Sequence, residues 1–510
     1  MKLPKINWTL VAALALCATA AFAQDQKQDT SPIDPNAPLQ PLDTNPGGVY
    51  GNKQPVGVVR GATVPYEPET YDYNRAVPDQ NTLAGAAPFT IGSLEHTRNI
   101  FDPAISVSQI GQTVPDQTGK SVLTGVSVAS ASLNFNHTGS AYQFSTLYNG
   151  GETFNLGYGS ATTFFGQAPS HSQFHNLAIS EQIEWGRWHL LIRDDFMASP
   201  GAAFTGQGMG GPGLSAQFSS MLGQSLNSFA QAFQPSENVN TGLAMRYRDT
   251  VLGQAEYSLS RRSALTFAGS YGLLHFTGTG YFNSTLMDAQ AGYDYLLDPA
   301  NSIAILGSYG KINYTGTGTP TVGTTTVGSG NSTTDYVGAL AYGRKITGRL
   351  AFQAAAGPQE IVSSGTAAGN FHLFFASVNS ALNYERRRSG LSFSFVRGLT
   401  GGSGVFLGAT SNTFSGSAHY QFTRFWTGTV NGGYSLNNSL APAGVATTQF
   451  DNWFTGANLA HSVGPHAMIN FNYGASKQNS PATCLVTSCG GVGLQQTFGM
   501  SLNWHLRPAG

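Results

Sequence analysis

The segment that most constrains the fold is QQTFGMSLNWHLRPAG, with which the sequence closes. Every second residue from Phe498 onward is large and apolar, and the residues between them are small or polar. The apolar set is Phe498, Met500, Leu502, Trp504 and Leu506. This alternation predicts a β-strand with one apolar and one polar face. No helix follows to cover the apolar face, so what that face contacts decides the fold.

The composition is unlike that of an ordinary soluble protein. Only 10% of the 510 residues are charged, whereas soluble domains have about a quarter. Glycine is abundant at 63 residues, and the formal net charge is -1. A net charge this close to zero gives no electrostatic indication of a nucleic-acid partner, so none is predicted. Few charges with many small polar residues favour short alternating strands joined by turns.

The first 23 residues have the pattern of a signal peptide. Lys2 and Lys5 precede an apolar run that ends in Ala21-Phe22-Ala23, which predicts cleavage before Gln24. A lipoprotein signal at Cys17 is disfavoured because Leu16 stands where a small residue is expected. Residues 24–100 are polar, rich in proline and aperiodic, and we expect them to form a disordered periplasmic extension. The remaining residues, 101–510, form the second predicted region.

After the signal peptide no run approaches the ~20 apolar residues of a membrane-spanning helix. Alternating runs fill 101–510 instead, and they are joined by breaks that are short and long in turn. Seventeen such runs follow Val122, and a run from Ala104 to Thr113 makes an even number. The rhythm predicts an all-β protein: a transmembrane antiparallel β-barrel of about 16–18 strands with short periplasmic turns and longer external loops.

Aromatic residues lie near several strand ends, where they suit a bilayer interface. They are Trp185, Trp188, Phe425, Trp426 and Trp504. With the amphipathic last strand and its terminal aromatic residue, the C-terminal three quarters resembles the outer-membrane β-barrel proteins of Gram-negative bacteria. The resemblance implies localisation in the bacterial outer membrane, contact with its lipid, and recognition by the barrel-assembly machinery through the C-terminal strand.

One long loop, residues 198–248, differs from the others. It contains a glycine-rich stretch and then LSAQFSSMLGQSLNSFAQAF, an uncharged segment with apolar residues at helical spacing. The predicted face comprises Leu214, Phe218, Leu222, Leu226, Phe229 and Phe233. Such an amphipathic helix either packs on the outside of the barrel or folds into the lumen as a constriction, which is the interpretation we favour.

Cysteine and histidine spacings predict no metal site. Cys484 and Cys489 lie in a break between two runs, and export to an oxidising compartment favours a disulfide between them. A metal site there is less favoured, because no second ligand pair is nearby. His171 and His175 have helical metal-ligand spacing but lie at the start of a strand, where four residues span about 13 Å. No catalytic constellation and no cofactor motif is recognised.

Four charged residues fall within alternating runs and are candidates for the lumen. These are Arg193, Asp195, Glu256 and Arg397, which would be structural if paired and would shape selectivity if unpaired. The predicted function is a passive diffusion pore, porin-like, for small polar or uncharged solutes. The alternative is a non-enzymatic surface-binding or export barrel that uses the Gly- and Thr-rich loops and the N-terminal arm. An embedded enzyme would require a nucleophile and base motif that is not found, and energised uptake would require a plug domain.

Overall fold

A computed structural model describes the strands and most of the turns that join them. The described residues are 100–115, 121–139, 141–155, 171–200, 245–260, 262–277, 281–298, 300–315, 331–347, 349–364, 370–386, 388–401, 407–440, 449–464, 466–479 and 494–506. They form 18 antiparallel strands: β1 (Ile100–Pro115), β2 (Ser121–Thr138), β3 (Tyr142–Asn155), β4 (His171–Trp185), β5 (Trp188–Pro200), β6 (Met245–Ser258), β7 (Ser263–Phe276), β8 (Asn283–Asp298), β9 (Asn301–Thr315), β10 (Ser332–Lys345), β11 (Leu350–Ser364), β12 (Phe371–Arg386), β13 (Ser389–Thr400), β14 (Ala409–Gln421), β15 (Trp426–Ser439), β16 (Gln449–Val463), β17 (Ala467–Asn479) and β18 (Leu494–His505).

The strands form one closed sheet. Each strand pairs with the next in sequence, and β1 pairs with both β2 and β18. Val107, for example, lies between Ala129 of β2 and Leu502 of β18. Closure gives every strand two hydrogen-bonded neighbours and leaves no open edge. The predicted all-β barrel is therefore confirmed, and so is the even strand number obtained by including the run from Ala104 to Thr113.

Connections at the two ends of the barrel differ in length. Eight short turns close one end, which we call the turn end, and the longer connections lie at the other, the loop end. Gly186 and Gly464 occupy turn positions with φ of 63° and 76°, which favour glycine. In the β8–β9 turn, the amides of Ala300 and Asn301 donate to Asp298 Oδ1 at 2.7 and 2.9 Å. The Asn301 side chain also donates to this carboxylate, and these bonds hold its pKa below the ordinary value.

The outer face of the barrel is apolar. Its side chains alternate along each strand with buried, mostly small or polar ones, as with Ile105 and Val107 against Ser106 and Ser108. All five large residues of the C-terminal segment lie on this outer face, with 48–56% exposure: Phe498 50%, Met500 53%, Leu502 48%, Trp504 53% and Leu506 56%. Exposed apolar residues around a closed sheet are what a bilayer requires. The apolar face of the terminal strand is therefore part of the apolar outer face of the barrel.

Several predictions concern residues beyond the described ranges. The signal peptide, nearly all of the predicted extension, the six predicted helix residues and both cysteines are in this group. The long loop is shorter at both ends than 198–248, because β5 continues to Pro200 and β6 begins at Met245. The described residues include no helix. Accordingly, no helix long and apolar enough to cross a membrane was found in the part of the chain that was searched.

The sheet is irregular where β10 meets β11. Pro358 lacks an amide hydrogen, and the pairing of these strands is interrupted between Val337–Gln359 and Leu340–Ala356. The neighbouring Gly357 approaches β10 so closely that a Cβ atom would lie 1.9 Å from the carbonyl oxygen of Gly338. Only glycine fits there without displacing the backbone, so this residue permits the two strands to stay together around the proline.

Candidate functional site: the inner wall of the barrel

The inner wall consists of the side chains that alternate with the exposed apolar ones. From β13 to β18 it is largely uncharged, with hydroxyl and amide groups facing one another across strands. Ser392 and Ser417 approach to 2.7 Å, and Ser394 and Ser415 approach to 2.6 Å. Asn470 donates to the Ser501 hydroxyl at 3.2 Å further around the wall. This part of the wall offers hydrogen bonds to a solute but no fixed charge.

Strands β5 and β6 carry basic and acidic groups in alternation on the inner face. Arg193 Nε donates to both carboxylate oxygens of Asp195, at 3.0 and 2.8 Å, and the two side chains are buried. Glu256 is opposite His189 in the β5–β6 register, and both are buried. Three of the four candidate lumen charges therefore lie on the inner alternation, and two of them form an ion pair with each other.

Strands β8 to β10 carry an acidic patch that the sequence reading did not single out. Asp288 and Asp335 are the two residues paired with Gly310 of β9, one from each side. The side chain of Gln359 donates to Asp335 Oδ2 at 2.9 Å. Asp294 lies on the same face of β8 and receives a bond of 3.4 Å from Thr266. The sequence could have indicated their inner position, because Asp288 and Asp294 fall between the outward-facing residues of one alternating run. These are Met287, Ala289, Ala291, Tyr293 and Tyr295.

The loop end of β13 and β14 folds into the lumen. Pairing of β12 with β13 ends at Val378–Arg397, although β13 continues to Thr400. Leu399 then packs against the inner-wall residues Leu286, Ile312, Tyr314 and Ile361. Leu373, Phe375, Leu407 and Leu440 contact the same cluster. We call this group of nine side chains the loop-end cluster, and it lies on the inner side of β8–β12 at the loop end.

A glycine allows the fold to turn inward. Gly408, immediately before β14, has φ of 93°, a conformation that L side chains rarely adopt. A Cβ atom on it would lie 2.8 Å from Leu440 Cδ1 and 3.1 Å from the Tyr314 hydroxyl. Both the backbone angle and the lack of space therefore require glycine where the connection meets the loop-end cluster.

The fourth candidate charge, Arg397, lies at the point where β13 leaves β12. It follows the alternation of Phe393 and Phe395, and Phe393 belongs to the exposed outer face. Its guanidinium carbon is 5.9 Å from the centre of the Phe375 ring, a cation–π contact. Its carbonyl oxygen accepts a bond of 3.3 Å from the Ser377 hydroxyl. Arg397 therefore borders the loop-end cluster, while the other three candidate charges lie on the β5–β6 wall.

The arrangement contains a water-compatible inner wall and no grouping of metal ligands. No set of three or more His, Cys, Asp or Glu side chains that could hold a metal ion was found among the residues searched. A closed 18-stranded sheet, apolar outside and polar inside, defines the class of outer-membrane β-barrel proteins of Gram-negative bacteria.

Comparison with known proteins gives structural neighbours only. No protein-family model matches the sequence, and no curated protein matches it either. Among solved structures, OpdK of Pseudomonas aeruginosa with vanillate has a TM-score of 0.39 at 10% identity, over 80% of this chain and 98% of that one. OccAB2 of Acinetobacter baumannii has a TM-score of 0.39 at 9% identity, with the same coverage. OccK2 (OpdF) of P. aeruginosa with glucuronate has a TM-score of 0.38 at 8% identity, again over 80% and 98%.

Proposed function

We propose that this protein is a passive, non-enzymatic diffusion pore of the outer membrane for small polar solutes. The observation that supports the proposal is the closed 18-stranded barrel with a polar inner wall. At a spacing of about 4.8 Å, 18 strands enclose a backbone ring roughly 28 Å across, even before strand tilt is counted. Barrels of 16–18 strands leave an aqueous channel when side chains alone line them.

The distribution of inner groups supports polar solutes. Hydroxyl and amide side chains on β13–β18 can replace the water hydrogen bonds of a passing solute. The loop-end cluster restricts one side of the lumen, so the open path runs along this uncharged wall and past the β5–β6 charges. The turn end faces the periplasm in this proposal, and the last strand is the signal for the assembly machinery.

The predicted helix within residues 206–233 is a second candidate for a constriction. Its sequence has no Lys or Arg that would hold it at an anionic membrane surface, which favours the lumen. Removing residues 206–233 is then expected to raise the single-channel conductance. If the conductance of the folded deletion variant stays unchanged, the helix belongs outside the pathway.

The experiment for the proposed function is conductance of the purified full-length protein in a planar lipid bilayer. A pore gives discrete, voltage-independent current steps that scale with salt concentration. Liposome swelling with neutral sugars of increasing size then gives the size limit. Folded, heat-modifiable protein that inserts but conducts no current would overturn the pore and favour the surface-binding or export barrel.

A further inference from the structure

The acidic patch on β8–β10 differs from Asp195 of β5 in having no cationic partner among the described residues. On β5, Arg193 and Asp195 are bonded to each other. Asp288 and Asp335 have no Lys, Arg or His within ion-pair distance among the described residues, and each is flanked by Gly310, which has no side chain. Their backbones are two strand spacings apart, roughly 10 Å, so the space between the two carboxylates lies over Gly310, which is itself buried.

A second polar group beside this space also lacks one of its hydrogen-bond partners. Gln359 is only 2% exposed, and while its Nε2 is bonded to Asp335, its Oε1 has no hydrogen-bond partner within the described part of the chain. Asp288 Oδ1 is buried and has none either. The two unbonded atoms, Asp288 Oδ1 and Gln359 Oε1, are both acceptors. Buried acceptors without donors are costly, and a ligand that supplies N–H groups and positive charge satisfies them.

Apolar side chains adjoin the acidic patch on its loop-end side. Leu286 is the next inner-facing residue of β8 after Asp288, Ile312 is the next after Gly310 on β9, and Ile361 is directly opposite Asp335. All three belong to the loop-end cluster. They are buried together with Leu399, so the cluster closes the patch on this side and a ligand reaches the acceptors from the lumen.

We propose that Asp288, Asp335 and Gln359 form a subsite for organic cations, in which a protonated amine is bound by these acceptors at the edge of the loop-end cluster. Asp288 is partly exposed and meets the ligand first, whereas Asp335 is 1% exposed and forms the inner end of the site. The proposal rests on the pore function, since the subsite would select which polar solutes enter the pathway.

The test uses benzylammonium as probe, with benzyl alcohol and benzoate as neutral and anionic counterparts of similar size. In planar bilayers, benzylammonium is expected to interrupt the wild-type current at lower concentration than benzoate. The Asp288→Asn/Asp335→Asn variant should require at least roughly tenfold more benzylammonium. Asp451→Asn is the control for the single Asp288→Asn variant, because Asp451 follows the outward alternation of β16 with Trp453 and its loss removes one carboxylate outside the lumen.

Calorimetric titration of benzylammonium into the detergent-solubilised protein measures binding without requiring current. Heat-modifiable migration shows whether each variant is folded; if the double variant is not, Asp288→Asn alone serves, because that side chain is partly exposed. Equal block and equal affinity in wild type and the folded variant would overturn the subsite while the pore stands. A wild type that binds benzylammonium but conducts nothing would instead remove the pore and keep the site.

Discussion

Thr113 in the first strand and Gln496 in the last, 383 residues apart in sequence, are joined by two hydrogen bonds. The Gln496 amide donates to the Thr113 hydroxyl oxygen at 2.9 Å, and that hydroxyl donates to the Gln496 carbonyl oxygen at 3.4 Å. These bonds reinforce the loop end of the β1–β18 pairing, the only seam between strands distant in sequence. The stability of the closed barrel therefore depends on its last strand.

Deleting Gln495–Gly510 is expected to abolish heat-modifiable migration and membrane insertion. The deletion removes nearly all of β18, which exposes the backbone donors and acceptors of β1 and β17 together. Deleting Gln28–Asn81, which precedes every strand that the structure describes, should leave both properties intact. Gel migration with and without heating, after membrane fractionation, measures the outcome. Equal damage from the two deletions would show that the barrel does not fold independently of the preceding segment.

Gly357→Ala is expected to destabilise the barrel by about 1–3 kcal/mol, because the new Cβ would overlap the β10 backbone at Gly338. Gly307→Ala is the control: Gly307 lies on the outer face of β9, where a Cβ would have nothing within 4 Å. Urea titration followed by tryptophan fluorescence or gel migration gives both midpoints. Equal midpoints for the two variants would contradict the close approach of β10 and β11.

Leu399→Ala is expected to raise the single-channel conductance. The substitution removes most of the side chain that the inward-folded end of β13 places on the loop-end cluster. A buried Leu→Ala change also costs about 2–5 kcal/mol, so folding is checked by gel migration. Leu340→Ala is the control, since Leu340 is 67% exposed on the outer face. Unchanged conductance in folded Leu399→Ala would mean that the cluster does not narrow the pathway.

Leu340→Arg is expected to destabilise the membrane-inserted barrel by about 2–4 kcal/mol, because an arginine near the middle of β10 would face hydrocarbon. Ser308→Arg should cost far less, since Ser308 follows the inner alternation of β9 with Leu306 and Gly310, near Asp288. Urea unfolding in lipid vesicles compares the two. If Ser308→Arg were the more damaging change, the assignment of inner and outer faces would be reversed.

Much of the fold can be predicted from the sequence, because successive residues of a strand face opposite sides of the sheet and their polarity indicates which environment each side meets. Phe498, Met500 and Leu502 could be assigned to the outer face once Ser501 and Asn503 were assigned to the inner face, and the structure places them so. The same rule could have found Asp288 on the inner face. Its significance could not be read from the sequence, because Gly310 and Asp335 become its neighbours only through the register of β8, β9 and β10.

The inward turn of β13 could not be predicted from alternation. Leu399 has the parity of Leu391 and Phe393, which are on the outer face, so the pattern assigns it to lipid. Parity holds only while a strand is paired on both edges, and β13 loses its β12 partner beyond Arg397. The last residues of β13 can then bend over the loop end into the lumen. Contacts with β8, β9 and β11 determine where Leu399 packs.

The paired serines of β13 and β14 can adapt their hydrogen bonds to different solutes. Either oxygen of the Ser392–Ser417 and Ser394–Ser415 pairs can be the donor, so each pair can exchange roles by rotating two hydrogens while every heavy atom stays in place. Such pairs can form a hydrogen bond with either a donor or an acceptor of the solute, so they do not distinguish one arrangement of polar groups from another. Discrimination is then left to the fixed groups elsewhere on the inner wall, on β5–β6 and β8–β11, so the solute preference of this barrel could be changed there while the serine-lined wall stays the same.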